Sequence, residues 1–154
     1  MDKKQRHLGR ELALQWLFQI DMARLKPDEV MATVPDEMEE WFEQTITTQE
    51  EALEFARKLV NGVIQERRHI DEVITRFAKG WSIDRMAGVE RNVLRLAIYE
   101  IHEVPDIPIS VTANEAVEVT KRYGAEESAK FVNGILGSFI RSMEIPEGKE
   151  KEGE

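Results

Sequence analysis

Five basic residues crowd the start of the chain: Lys3, Lys4, Arg6, His7 and Arg10 fall in a stretch that contains no acid. Lysine and arginine neutralise phosphates, and aromatic rings nearby stack on unpaired bases, so this is chemistry for holding single-stranded RNA. A second set of suitable residue types lies near the other end, in residues 114–136 (NEAVEVTKRYGAEESAKFVNGIL). At about 100° per residue, Val132, Leu136, Phe139 and Met143 share one helical arc. Phe131 falls outside that arc, beside Lys130 and Glu127 and shortly after Tyr123. An aromatic off the apolar arc and next to a lysine suits either packing or binding. The basic start is equally open to a plain reading, as the solvated end of a helix in a module that binds only protein.

Other chemistries find little support. The chain has no cysteine, which removes disulfides, thiolate zinc sites and thiol catalysis. It contains no Walker loop, GxGxxG, HExxH or nucleophile elbow. His7, His69 and His102 fall on different segments without metal-site spacing, and acidic pairs such as Glu39-Glu40 and Glu126-Glu127 read as solvated faces. An enzyme is not expected, and neither is a metal or a cofactor.

The formal net charge of −9 argues at first sight against nucleic acid. Local potential governs binding, however, and the charge here is segregated. Residues 28–54 hold ten acids and no lysine or arginine, so the molecule is acidic with a basic end. No apolar run approaches the ~20 residues that span a bilayer, and the N-terminus lacks an apolar export segment. A cytoplasmic location is the default expectation.

These side chains need helices to position them. Residues 4–24 carry Leu8, Leu12, Trp16, Ile20 and Ala23 on one face, edged by Ala13 and Leu17, with the basic residues on the other side. Leu14 and Phe18 fall on the basic side, where they meet either a second layer of helices or a partner. Pro27 suits the first turn of a helix that Pro35 ends, and residues 36–44 form a short acidic helix able to dock Met38, Trp41 and Phe42. Thr48 and Glu51 fit a capping box, opening a helix that periodicity carries to about Lys79 with a kink at His69. Gly80 stops it, and Trp81 begins a short turn. The most apolar segment, residues 89–102, puts Glu90 and Glu100 inside its apolar arc and Arg91, Arg95 and His102 opposite. Ser110 or Thr112 starts the next helix, which closes at Tyr123 with Gly124 in the left-handed conformation. A last helix begins within residues 125–127. The expectation is an all-α, compact single-domain bundle of about six or seven helices over residues 1–145, with an acidic, disordered tail over 146–154.

Over nearly its whole length the chain resembles the NusB family of bacterial transcription antitermination factors. The resemblance rests on ALQWLF after the basic start, WSIDR from Trp81, VERNVLR from Val89, Tyr99-Glu100, NEAVE from Asn114 and KFVNGIL from Lys130, in this order and spacing. It implies a non-catalytic adaptor that binds the single-stranded boxA element of ribosomal RNA leader transcripts together with NusE, a ribosomal small-subunit protein. The pair helps to assemble an antitermination complex on RNA polymerase. Carried onto this sequence, the family's RNA contacts fall on Lys3, Lys4, Arg6, His7 and Arg10, and on Tyr123, Glu127, Lys130 and Phe131. The NusE-facing surface falls on Phe18 and Glu90, with Arg95 as its neighbour. Asn114, Asn133 and Gly134 are expected to serve architecture, through helix starts, buried hydrogen bonds and close helix approach.

The chain departs from the family where Gln5, His7, Leu8 and Gly9 stand in a segment that is often denser in arginine. Every cation fewer on the phosphates flattens the salt dependence by ~0.7 in log–log slope, so greater reliance on NusE is expected. Two alternatives stay open: the RNA-binding domain of ribosomal RNA cytosine methyltransferases, and a purely protein-binding helical module. Self-association that hides the RNA face is compatible with the sequence.

Overall fold

The computed structural model describes residues 2–24, 29, 40 and 50–144. Helix α1 spans Lys3–Met22, with Asp2 at its N-cap accepting a hydrogen bond from the Gln5 amide at 2.9 Å. That side-chain oxygen satisfies one of the amides a helix start leaves without an internal partner. Helix α2, Glu50–Phe77, opens with Glu50 and Glu51, placing negative charge at the positive end of the dipole. It runs unbroken through His69, where the sequence suggests a kink, because Ile70, Val73 and Ile74 stay buried in register. Gly80 at φ 82 stops the chain beyond it. After a 3-10 turn at Ile83–Arg85 come α3 (Gly88–Glu103), α4 (Ile109–Tyr123) and α5 (Glu126–Glu144). The described residues are thus all-helical, with five α-helices. The two short helices expected before residue 45, the Thr48 cap and the acidic tail lie outside the described residues.

Helix α3 lies at the centre and touches α1, α2, α4 and α5. Leu94 and Ile98 meet Leu59, Ile70, Ile74 and Leu136 in one continuous core. A central helix has little solvent-facing surface, so the polar residues on its inward faces must be paired rather than exposed. This corrects the placement of Arg95 opposite the buried arc. Arg95 is 4% exposed, forked onto Asp71 of α2 at 2.9 and 3.1 Å and bonded to Asn92 at 3.0 Å.

Three further expectations shift. Leu14 is buried, so the second-layer reading holds for it, whereas Ala23 and Met143 are exposed. Helix α4 starts at Ile109 after Pro108, which leaves the Thr112 hydroxyl free to donate to buried Glu100. Gly124 closes α4 in an extended conformation, φ −121 and ψ −173, not a left-handed one. There its bare Cα faces the Thr120 carbonyl and Val89, where a Cβ would sit 3.1 and 3.3 Å away.

Asp21 ties the end of α1 to α3, accepting from Arg91 at 2.6 Å and Asn92 at 2.9 Å. Burial alone would raise its pKa, but the hydrogen bonds from Arg91 and Asn92 outweigh it and hold the carboxyl below its ordinary value. No helix among the described residues is long and apolar enough to cross a membrane.

Candidate nucleic-acid and partner surfaces

Lys3 and Lys4 stand exposed on the first turn of α1, while Arg6 and His7 are half-buried. The His7 imidazole sits between two carboxylates, with Nδ1 2.7 Å from Glu115 and Nε2 2.9 Å from Glu11. Only the imidazolium can donate to both, so the hydrogen bond to Glu115, with Glu11 in support, raises the His7 pKa against a smaller opposing effect of burial.

Arg10 departs from its expected role at the RNA. It is 6% exposed, its Nε donating to Glu100 at 2.9 Å and its Nη2 at 2.7 Å, with the guanidinium 5.6 Å from the Phe55 ring centre. Glu100 is itself buried and also accepts from Thr112. Arg10 therefore joins α1 to α2, α3 and α4 and has no free donor face for a phosphate. The turn-by-turn spacing that groups it with Lys3 and Arg6 does not reveal that Glu100 lies opposite.

Tyr123 is exposed at the end of α4, where its hydroxyl accepts from Gln15 at 3.4 Å and Arg122 lies 5.6 Å from its ring. Glu127 and Lys130 are exposed on the first two turns of α5. Phe131 is half-buried at the edge of the core and meets Trp81 edge-on, with ring centres 5.8 Å apart. Trp81 is 53% exposed. Sequence reasoning assigns it only the opening of a turn, although an indole directly after a helix-stopping glycine is a usable cue. The expected RNA residues thus form two groups. Gln15, which meets Tyr123, lies about 17 Å along α1 from Lys4 at 1.5 Å per residue. Tyr123 therefore stands apart from the lysines of the arm.

Phe18 is 36% exposed and lies over the start of α3, close enough that a Cβ on Gly88 would sit 2.7 Å from its ring. Glu90, two residues on, caps α3 by accepting from the Ala87 amide at 3.1 Å, and it accepts from the Ser128 hydroxyl of α5 at 2.6 Å. Phe18 and exposed Met22 form an apolar patch beside this junction. Arg95, buried against α2, does not reach it. Asn114, Asn133 and Gly134 are exposed, Asn114 lies inside α4, and a Cβ on Gly134 would meet nothing within 4 Å. None of the three has the architectural role expected of it, because among the described residues no helix packs on the faces they occupy.

Residues 7–141 match the model of the NusB family. The chain belongs to the NusB family. A transcription antitermination protein NusB from Symbiobacterium thermophilum is 45% identical over 152 residues, 95% of each chain. Another from Pelotomaculum thermopropionicum is 47% identical over 139 residues, covering 90% of this chain and 91% of the relative. Among solved structures, T. maritima NusB superposes with a TM-score of 0.74 at 38% identity, covering 92% of this chain and 93% of the other. A complex of antitermination factors NusB and NusE with double-stranded RNA contains a chain 29% identical to this one. It matches with a TM-score of 0.72, over 92% of this chain and 99% of the other. The all-helical fold is thus that of NusB proteins.

Proposed function

We propose that this chain is a non-catalytic RNA-binding adaptor of transcription antitermination. In this reading it takes the boxA element of ribosomal RNA leader transcripts together with NusE and helps to assemble the antitermination complex on RNA polymerase. The carrying observation is the Trp81–Phe131 ring pair, with Trp81 open to solvent and Lys130 adjacent. An exposed indole against a half-buried phenyl ring beside a cation suits unpaired bases better than a duplex, whose bases are already stacked, so the RNA is single-stranded where it meets them. Lys3, Lys4 and Arg6 add phosphate attraction at the far end of α1, while Phe18, Met22 and Glu90 offer NusE an apolar patch edged by a carboxylate. Relatives matched over most of their own length bear the antitermination name, which supports an adaptor over a methyltransferase-linked domain.

The test is an anisotropy titration of boxA RNA, single-stranded and as a duplex, with and without NusE. Phe131→Ala is expected to weaken single-strand binding by ~1–3 kcal/mol, the worth of one stacked base. Because Phe131 also touches the core, Lys130→Gln serves as a partner variant and is expected to weaken binding without altering the thermal midpoint. Unchanged affinity in both variants would remove this surface from the RNA site.

A further inference from the structure

Beyond the ring pair, a groove with about 740 Å³ of room runs between the end of α2 and the outer face of α5. Arg76, Lys79, Lys130 and Arg141 line it, all exposed, and among the described residues no carboxylate does. In a chain with 30 acids and 21 lysines and arginines, such a concentration of one sign is not an average surface. Among the described residues no ion pair engages any of the four, and Arg141 donates only to Ser138, at 3.3 Å. Four like charges held together repel one another, and an anionic occupant relieves that repulsion.

Gly134 supplies an independent observation. It lies inside α5, exposed on the groove wall, with open space where a Cβ would be. A glycine in a helix interior is destabilising relative to alanine, and among the described residues no neighbouring helix needs the room. A bare backbone there permits close approach by something from outside the fold. Lys130, Gly134, Ser138 and Arg141 follow at helical spacing along one face, spanning about 16 Å, or about four or five nucleotides at the stacked rise.

We infer that the RNA path continues from the Trp81–Phe131 pair along α5. Arg76, Lys79 and Arg141 take the phosphates of the nucleotides flanking the stacked base, and Gly134 forms the floor over which the strand passes. This rests on the RNA reading of Phe131 and adds a phosphate track to it. The ring pair at one end of the groove favours a nucleic acid over an acidic peptide, because a base offers a flat face to stack and a carboxylate does not.

The experiment uses the triple variant Arg76→Gln, Lys79→Gln, Arg141→Gln, three exposed positions whose loss leaves the core intact, with helicity checked by circular dichroism. The wild-type protein and this variant are titrated, with NusE present, against a boxA-length RNA and the same RNA extended at its 5′ or its 3′ end, at two salt concentrations. For wild type, one extension is expected to tighten binding about tenfold. The triple variant should lose that gain and, on the extended RNA, show a log–log salt slope shallower by ~2, at ~0.7 per phosphate neutralised. Equal affinity and slope for the two proteins on every RNA overturns the track while leaving the ring pair untouched. Failure of wild type to bind any of the RNAs overturns the RNA reading and the track with it. A poly-glutamate peptide that binds wild type and not the triple variant, with the extended RNAs indifferent to the change, overturns the track in favour of an acidic protein partner.

Discussion

Lys4 and Arg10 share a helix and a charge, but their surroundings give them different work. Lys4 is exposed, so Lys4→Ala is expected to leave stability within about 0.5 kcal/mol while making the salt slope of RNA binding shallower by ~0.7. Arg10 is forked onto Glu100, which is 2% exposed. Arg10→Ala leaves a buried carboxylate without its counter-charge, and a loss of ~3–5 kcal/mol is expected in chemical denaturation. Wild-type stability in Arg10→Ala would return this residue to the RNA surface. Arg6, His7 and Arg10 are recognisable in the sequence as one cluster of cations. What each faces is hidden there, because Glu100 and Glu115 lie far along the chain and are brought in only by the docking of α3 and α4.

The junction of α1 with α4 depends on the protonation of one side chain. His7 faces Glu115 and Glu11; Arg10 reaches Glu115 at 3.4 Å and Arg122 reaches Glu11 at 3.3 Å. The His7 pKa is raised from 6.5 on folding, so its stabilising contribution is fully present below about that pH. It is lost as pH rises through the higher folded value. The wild-type protein is therefore expected to lose thermal stability relative to His7→Gln as pH rises beyond about 6.5, with amide exchange in the first turns of α1 rising in the same range. Parallel pH profiles for the two proteins would rule this out. The helices themselves are legible because apolar residues recur at helical spacing and breakers flank them. The surroundings of α3 are not, since the most apolar helix is central and its arginines are paired inward. Likewise no periodic clue marks the face around Asn133 and Gly134 as exposed.

At the scale of the whole molecule, an acidic protein gathers eight of its 21 lysines and arginines into two clusters, the start of α1 and the groove beside α5. Local potential at each cluster governs binding there, so the salt dependence reports on a few phosphates rather than on net charge. Sequence alone exposes the first patch, as a run along the chain. The second joins Arg76 and Lys79 to Lys130 and Arg141 from remote segments, and no window along the sequence contains them together.

The Arg10, Glu100 and Thr112 cluster has a consequence for how the chain finds this arrangement. Leucine, isoleucine and valine are interchangeable neighbours, and an apolar seam tolerates a helix sliding by one turn. A forked ion pair does not, because a slip strands both charges away from water. The cluster thus acts as a register pin for α1 against α3 and α4. Replacing all three residues with apolar side chains of similar volume is expected to be neutral or stabilising by ~1–4 kcal/mol. The same variant should broaden the amide resonances of α1 in nuclear magnetic resonance spectra as alternative dockings exchange; sharp, single resonances would show that apolar packing alone sets the register.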